Sequence, residues 1–176
     1  CIDEIQKESR KRAKNKFDQI DEEFEGIFGR SYGGQIEEYR MDDADIVLVG
    51  SGSMCGTIKS VIDEKRQAGV KVGLLKIRMY RPFPNEVMIK ALKGKKAIGV
   101  VDRSICFGFD GGPIYRELKS FETQLEGSKL ISFIDGIANM DITKAKVEKM
   151  MDITGDLAAG KDVQEVTWVS YRETQE

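Results

Sequence analysis

The sequence contains no histidine, and that gap alone removes a large part of enzyme chemistry. A histidine general base, a His-dependent nucleophile triad and a His-ligated zinc are all excluded. Cysteine is almost as scarce: Cys1, Cys55 and Cys106 are the only three. They are too far apart for a CxxC pair and too few for the roughly four thiolates of an iron–sulfur cluster. Their odd count also argues against a secreted disulfide framework and for a reducing, cytoplasmic setting. No apolar run approaches the ~20 residues that cross a bilayer, so a membrane partner is not expected. The chain opens at Cys1 on charged residues, without an initiator Met or a signal-like stretch, and the expectation is a fragment of something longer. A strong charge of either sign is missing too. The 28 Lys and Arg against 30 Asp and Glu leave a formal charge of −2, which builds no phosphate-binding field and makes nucleic acid an unexpected partner.

What is present is a globular mixture. The 176 residues are 40% hydrophobic and 33% charged, with 18 Gly and only 3 Pro, which fits about one globular domain rather than disorder or low complexity. Residues 1 to about 28 predict one long charged helix. Ile2, Ile5, Ala13, Phe17, Ile20, Phe24 and Ile27 recur at three- and four-residue steps and make a narrow apolar stripe. Such a helix cannot stand alone and must lie across a partner surface. Gly26 and Gly29 end it, and the arm Phe28–Gly34 follows as a pinned connector.

From Asp45 the period changes. Ile46–Val49 is a short apolar run stopping in glycine, the mark of a strand buried on both faces. A helix carrying Met54, Ile58, Val61 and Ile62 follows, then a strand Val70–Ile77 and a helix opened by Pro84. Strand Ala97–Val101 precedes a helix opened by Pro113 with Ile114, Leu118, Phe121 and Leu125, stopped by Gly127. A fourth strand spans Leu130–Ile134. Asp141 is a candidate cap for a helix carrying Val147, Met150 and Met151, and Val166–Tyr171 is a candidate edge strand. The methionines read as core or interface filler. The pattern predicts a doubly wound, mostly parallel sheet of about five strands with helices on both faces, preceded by a helical arm. The organisation expected is a helix and arm over 1–40, an α/β core over 41–140, and a helix and tail of the same domain over 141–176.

Ligands of such sheets sit beyond the carboxyl ends of the strands. The loop Gly50-Ser51-Gly52-Ser53-Met54-Cys55-Gly56 reads G-x-G-x-x-x-G, one residue longer than the dinucleotide fingerprint. Gly50, Gly52 and Gly56 are therefore candidates for a pyrophosphate at a helix N-terminus, with Lys76 and Arg78 placed for a 2′-phosphate. The bland reading is a tight strand–helix turn. In Arg78–Pro84, the arginines could clamp a carboxylate or phosphate, or Phe83 could dock into the core while the arginines pair across an interface. Cys106 has no histidine to activate it and reads as inert. Asp42, Asp43 and Asp45 read as a solvated charge run. Asp102 ends a strand, and we expect it to pair with Arg81 or Arg103, because a covered charge needs a partner.

Taken together, ordered phrases carry a more specific signal. Phe28-Gly29-Arg30-Ser31-Tyr32, Ile36-Glu37-Glu38-Tyr39-Arg40, Asp43–Val49, Gly69–Lys76, Arg81-Pro82-Phe83-Pro84 and Val101-Asp102-Arg103-Ser104 resemble, in that order, the 2-oxoacid:ferredoxin oxidoreductases. The likeness is to the C-terminal, transketolase-like domain of the α subunit of the pyruvate-type enzyme, over roughly residues 20 to 140. The resemblance implies an enzyme that decarboxylates a 2-oxoacid on thiamine diphosphate with Mg²⁺. Electrons pass through [4Fe–4S] clusters to ferredoxin, and the acyl group goes to coenzyme A. It further implies a chain that binds none of these groups itself, has no catalytic residue, and meets the N-terminal α domain, the β subunit and the γ and δ portions. Arg81, Phe83, Asp102 and Arg103 are then the expected buttress of that interface. The other class of function weighed is a free-standing NADP- or CoA-binding module using Gly50–Gly56.

Overall fold

The computed structural model describes residues 2–170; Cys1 and Tyr171, named above, lie outside that range. Its elements are α1 (Ile2–Phe28), β1 (Ile36–Tyr39), β2 (Ile46–Ser51), α2 (Met54–Gln67), β3 (Val72–Ile77), α3 (Asn85–Leu92), β4 (Ala97–Asp102), α4 (Pro113–Lys119), β5 (Lys129–Ile134), α5 (Lys144–Ala158) and β6 (Val166–Trp168). The four apolar runs read from the sequence are the four central strands. They pair in parallel with β6 added at one side, and the sheet order is β1-β3-β2-β4-β5-β6.

Six strands form where about five were expected. The extra one is β1, which pairs antiparallel with β3, Ile36 opposite Ile77 and Tyr39 opposite Leu74. Four residues of which two are Glu carry no apolar run, and the segment becomes a strand because β3 offers it a free edge. The acid is accommodated there: Glu37 forms an ion pair with Lys59 and lies 3.4 Å from Lys76. Burial works against its charge, and the two lysines outweigh it and hold the carboxyl below its ordinary value.

Alternation along each strand feeds two cores. Val47, Val49, Ile98 and Val100 face α3 and α4 and pack with Met88, Leu92, Tyr115 and Leu118. Leu48, Leu74, Val101 and Phe133 face α2 and α5 and pack with Ile58, Ile62, Val147 and Met150. Burial on both faces is what βαβ crossovers produce. Two terminations differ from expectation. Asp141 does not cap α5; Thr143 does, its hydroxyl accepting from the Lys146 amide at 3.4 Å. The helix after Pro113 stops at Lys119, and Glu122–Leu125 form a separate short turn of tighter helix with Phe121 at its N-cap, while Ser120 turns its hydroxyl onto the Glu117 carbonyl.

The leading helix stands apart from this scheme. None of its residues is buried. Gln35 donates to Asp18 at 2.8 Å, Arg78 reaches Asp21 at 3.1 Å, and Lys14 approaches Glu86 at 3.9 Å. The rings of Phe17 and Tyr32 lie under the Arg78 guanidinium at 5.7 and 5.4 Å, and Phe24 packs on Tyr32 at 5.6 Å.

Candidate functional site

The strands β3, β2 and β4 all run parallel, but the order in which they are laid down reverses at β2. β3 is laid on one side of β2 and β4 on the other, so the crevice expected to hold ligands lies beyond Ser51 and Asp102. The first wall is the Gly50–Gly56 segment. β2 runs through Ser51 and α2 begins at Met54, so the connector is only Gly52-Ser53. Gly52 takes φ +71°, a left-handed conformation that favours glycine. Gly56 is already inside α2. The segment is the tight strand–helix turn of the bland reading, and the three glycines do not form one cradle.

The cations proposed for a 2′-phosphate are occupied elsewhere. Lys76 faces Glu37. Arg78 donates to Asp21 at 3.1 Å and to the Gly34 carbonyl at 2.8 Å while stacking on Phe17 and Tyr32. Its work is to hold α1 and the arm to the end of β3. A hydrogen bond from Ser31, then Arg78 and the Gly34 amide, hold the Asp21 carboxyl below its ordinary value.

Beyond β3 the chain turns through a cis Arg81–Pro82 peptide. Phe83 is buried against Phe121 and the edge of Tyr80, as the core-docking alternative had it. The Arg81 guanidinium lies over the Tyr80 ring at 4.2 Å and pairs with Glu117 at 2.7 Å. Between this turn and α1 opens a cleft of about 790 Å³, with Lys7, Arg10, Lys11, Lys14 and Arg81 against Asp18, Glu86 and Glu117.

Asp102 is not in the ion pair expected of it. Its carboxylate accepts from the backbone amides of Ile114 at 2.9 Å and Tyr115 at 3.1 Å, the first turn of α4. Arg81 is committed to Glu117, and Arg103 donates to the Gly136 carbonyl at 3.3 Å. Helix amides carry partial positive charge and lack intrahelical acceptors, so they supply what a cation would. Gly112 makes this possible: a Cβ there would stand 2.2 Å from the carboxyl carbon of Asp102. The compensation is incomplete, and burial pushes the Asp102 carboxyl up to about 6. Asp102 is a cap for α4, and the loop Arg103–Gly111 is closed between it and the helix.

A second buried acid, Asp135, was not singled out from the sequence. It follows β5, and its amide donates to the Asp102 carbonyl at 3.1 Å, tying the ends of β4 and β5 together. One carboxylate oxygen accepts from Ser170 and from Lys146 at 3.3 Å, and the other has no partner among the described residues. Nothing in the local sequence announces this group, since its partners come from α5 and the segment after β6. Tyr115, whose hydroxyl donates to Glu165 at 2.6 Å, was missed for the same reason.

Nucleophile and metal chemistry find little material. Burial raises the Cys55 thiol to about 11. Cys106 sits in the closed loop, its amide donating to the Gly111 carbonyl. Among the described residues no group of three or more Cys, Asp or Glu side chains is arranged to hold a metal ion, and no helix is long and apolar enough to cross a membrane.

Residues 44–147 match the pyruvate:ferredoxin oxidoreductase core domain II family. The chain is 38% identical over 165 residues to pyruvate synthase subunit PorA of Methanothermobacter thermautotrophicus, covering 94% of this chain and 40% of that protein. Against the subunit of the same name from Methanocaldococcus jannaschii it is 40% identical, covering 94% and 41%. Against the alpha subunit of an NADH-dependent phenylglyoxylate dehydrogenase from Aromatoleum evansii it is 44% identical over 134 residues, covering 75% and 32%. The chain thus spans about two fifths of the pyruvate synthase subunits it matches. A solved 2-oxoglutarate:ferredoxin oxidoreductase from Magnetococcus marinus shares the fold with a TM-score of 0.52 at 14% identity, over 72% of this chain and 20% of that one.

Proposed function

Since this chain belongs to the pyruvate:ferredoxin oxidoreductase core domain II family, we propose that it serves as the supporting α/β domain of a 2-oxoacid:ferredoxin oxidoreductase α subunit. The substrate class is a 2-oxoacid, with pyruvate the first choice from its relatives. The observation that carries this reading is similarity sustained over 94% of the chain to pyruvate synthase subunits. Thiamine diphosphate, Mg²⁺ and [4Fe–4S] clusters serve the whole enzyme. The donor set here does not fit them: the described cysteines are two, Cys55 and Cys106, and no acidic cluster could hold Mg²⁺. We assign those groups, with coenzyme A and ferredoxin binding, to the remainder of a cytoplasmic complex made with the N-terminal α domain, the β subunit and the γ and δ portions.

In this role the strand-end residues support and do not react. Arg81, Phe83, Asp102 and Arg103 are each satisfied inside the chain, which leaves a rigid edge for neighbouring domains. The test is 2-oxoacid-dependent dye reduction with thiamine diphosphate and Mg²⁺ supplied. The chain alone is expected to be inactive, and activity is expected when it is assembled with the rest of the enzyme. Turnover by the pure chain would overturn the reading. So would micromolar NADP or coenzyme A binding that disappears in Gly52→Val, which belongs to the free-standing nucleotide module.

A further inference from the structure

We propose that Phe107 is the anchor of a docking surface whose socket lies on the remaining part of the α subunit. This rests on the reading of the chain as one domain of such a subunit. The exposed apolar side chains of the body are not scattered. Outside α1 and its arm, the large apolar residues exposed among those described are Val70, Tyr80, Phe107, Phe109, Met140 and Trp168. Only Val70 precedes a strand. The other five lie at or beyond the carboxyl ends of β3, β4, β5 and β6, which run parallel and so end on one side of the sheet. β4, β5 and β6 are consecutive in it, so the strands leading to Phe107, Phe109, Met140 and Trp168 span about 10 Å. Apolar side chains gathered on one edge mark an interaction surface, where single scattered ones do not.

Phe107 leads this group: it is 94% exposed, against 47% for Trp168 and 43% for Met140. It is nevertheless held in place. The Phe109 amide donates to the Cys106 carbonyl at 3.1 Å, closing a turn with Phe107 at its tip. Gly108, third in that turn, takes φ +77°, which a side chain would oppose. The Cys106 amide donates to the Gly111 carbonyl at 3.1 Å, and the Phe109 ring lies 6.3 Å from Tyr115. Asp102 secures the far end of the loop to α4. A ring presented on a braced turn loses little freedom when it is buried against another body, and such aromatic anchors carry most of the energy of an interface.

A socket for a protruding ring is apolar and concave. The cleft beside α1 is lined with charge. Around a smaller cavity of about 320 Å³, Glu38, Asp42, Lys90 and Lys95 are half of the eight lining residues. Neither would receive Phe107 from a second copy. The pyruvate synthase subunits offer another body. This chain covers 40% and 41% of them, so in those proteins about three fifths of the polypeptide is joined covalently to the matched domain. A joined partner is held at an effective concentration in the millimolar range, and about 600–1,500 Å² suffices between domains of one chain. One buried aromatic supplies about 150–250 Å² of that.

Cys106, half-buried beside the tip, reports on the docking. Its rate of alkylation by iodoacetamide, read at that residue by mass spectrometry, is compared between this chain alone and the whole enzyme. Assembly should slow it at least about tenfold, and Phe107→Ser should cut that protection to about twofold or less. The same substitution should leave the Tm of the chain alone unchanged, since the side chain is outside the core. Equal rates in the two native forms overturn the proposal, as does protection that Phe107→Ser leaves intact. Protection that grows with concentration in the chain alone assigns the surface to a second copy and overturns it too. The parent reading fails separately: an assembled enzyme without 2-oxoacid-dependent dye reduction removes both, whereas an active enzyme with an unprotected Cys106 removes only this inference.

Discussion

The α/β body and the α1 arm solve the problem of staying put by opposite means. Val47, Leu48, Val49, Leu74, Leu75, Ile98, Val100 and Phe133 are wholly inaccessible to solvent in the body, while α1 has no buried residue. The body is held by apolar area removed from water, a force that needs no particular partner geometry. The arm is held by a few directional contacts around Arg78 and Asp21, which fix where it lies but contribute little to whether the body folds. One region carries the stability and the other carries the connection.

The largest expected effect falls in the body. Phe133→Ala empties the space between the sheet and α5 and should cost about 3–5 kcal/mol of unfolding free energy by denaturant titration. A loss below ~1 kcal/mol would mean that this face is far less tightly packed than the burial implies.

Asp102 gives a smaller effect, and one that depends on pH. Its carboxyl lies at about 6 folded against 3.8 as its ordinary value, so between those values the folded chain keeps a proton that the unfolded chain has lost. The contribution to stability is fully present below about pH 4 and is lost as pH rises through 6, amounting to about 3 kcal/mol for two pH units. Asp21, Glu37, Asp43 and Glu165 are lowered and act in the reverse sense, losing stability as pH falls through their depressed values. The difference between the native chain and Asp102→Asn, measured from pH 4 to 7, isolates the one group. Parallel pH profiles for the two would show that Asp102 does not titrate in this window.

The smallest effect sharpens the contrast most. Arg78→Ala should lower the stability of the body by about 1 kcal/mol or less, yet release α1. Amide exchange in residues 14–24 should accelerate while β2 and β4 stay protected. Loss of protection in both regions together would show that arm and body fold as one unit.

The central sheet was legible because each of its strands is a run of apolar residues closed by glycine or a charge, a pattern that only burial on both faces produces. β1 was not, because Ile36 and Tyr39 make an edge strand only when β3 is beside them. The candidate site was legible in position and not in pairing. Asp102 was correctly placed at a strand end, but its charge led to a search for cations, whereas its partners are two amides twelve and thirteen residues later. A signal did exist. Gly112-Pro113 opens α4 with no Ser, Thr, Asp or Asn to cap it, so the free amides of that first turn had to find an acceptor elsewhere. The glycine loop misled in the opposite direction, since Gly56 belongs to the helix and the cations around it serve β1 and the arm.

The contacts that seat α1 also make it a lever. They run from Lys14 to Phe24, and the helix continues for twelve more residues toward Ile2, about 18 Å at 1.5 Å per residue. A swing of about 10° about the seat would carry that far end by about 3 Å, as much as a one-residue slip in a strand register. The pivot is polar and the arm is stiff. A displacement at Arg78 or Asp21 too small to disturb the sheet would therefore arrive, enlarged, at the far tip.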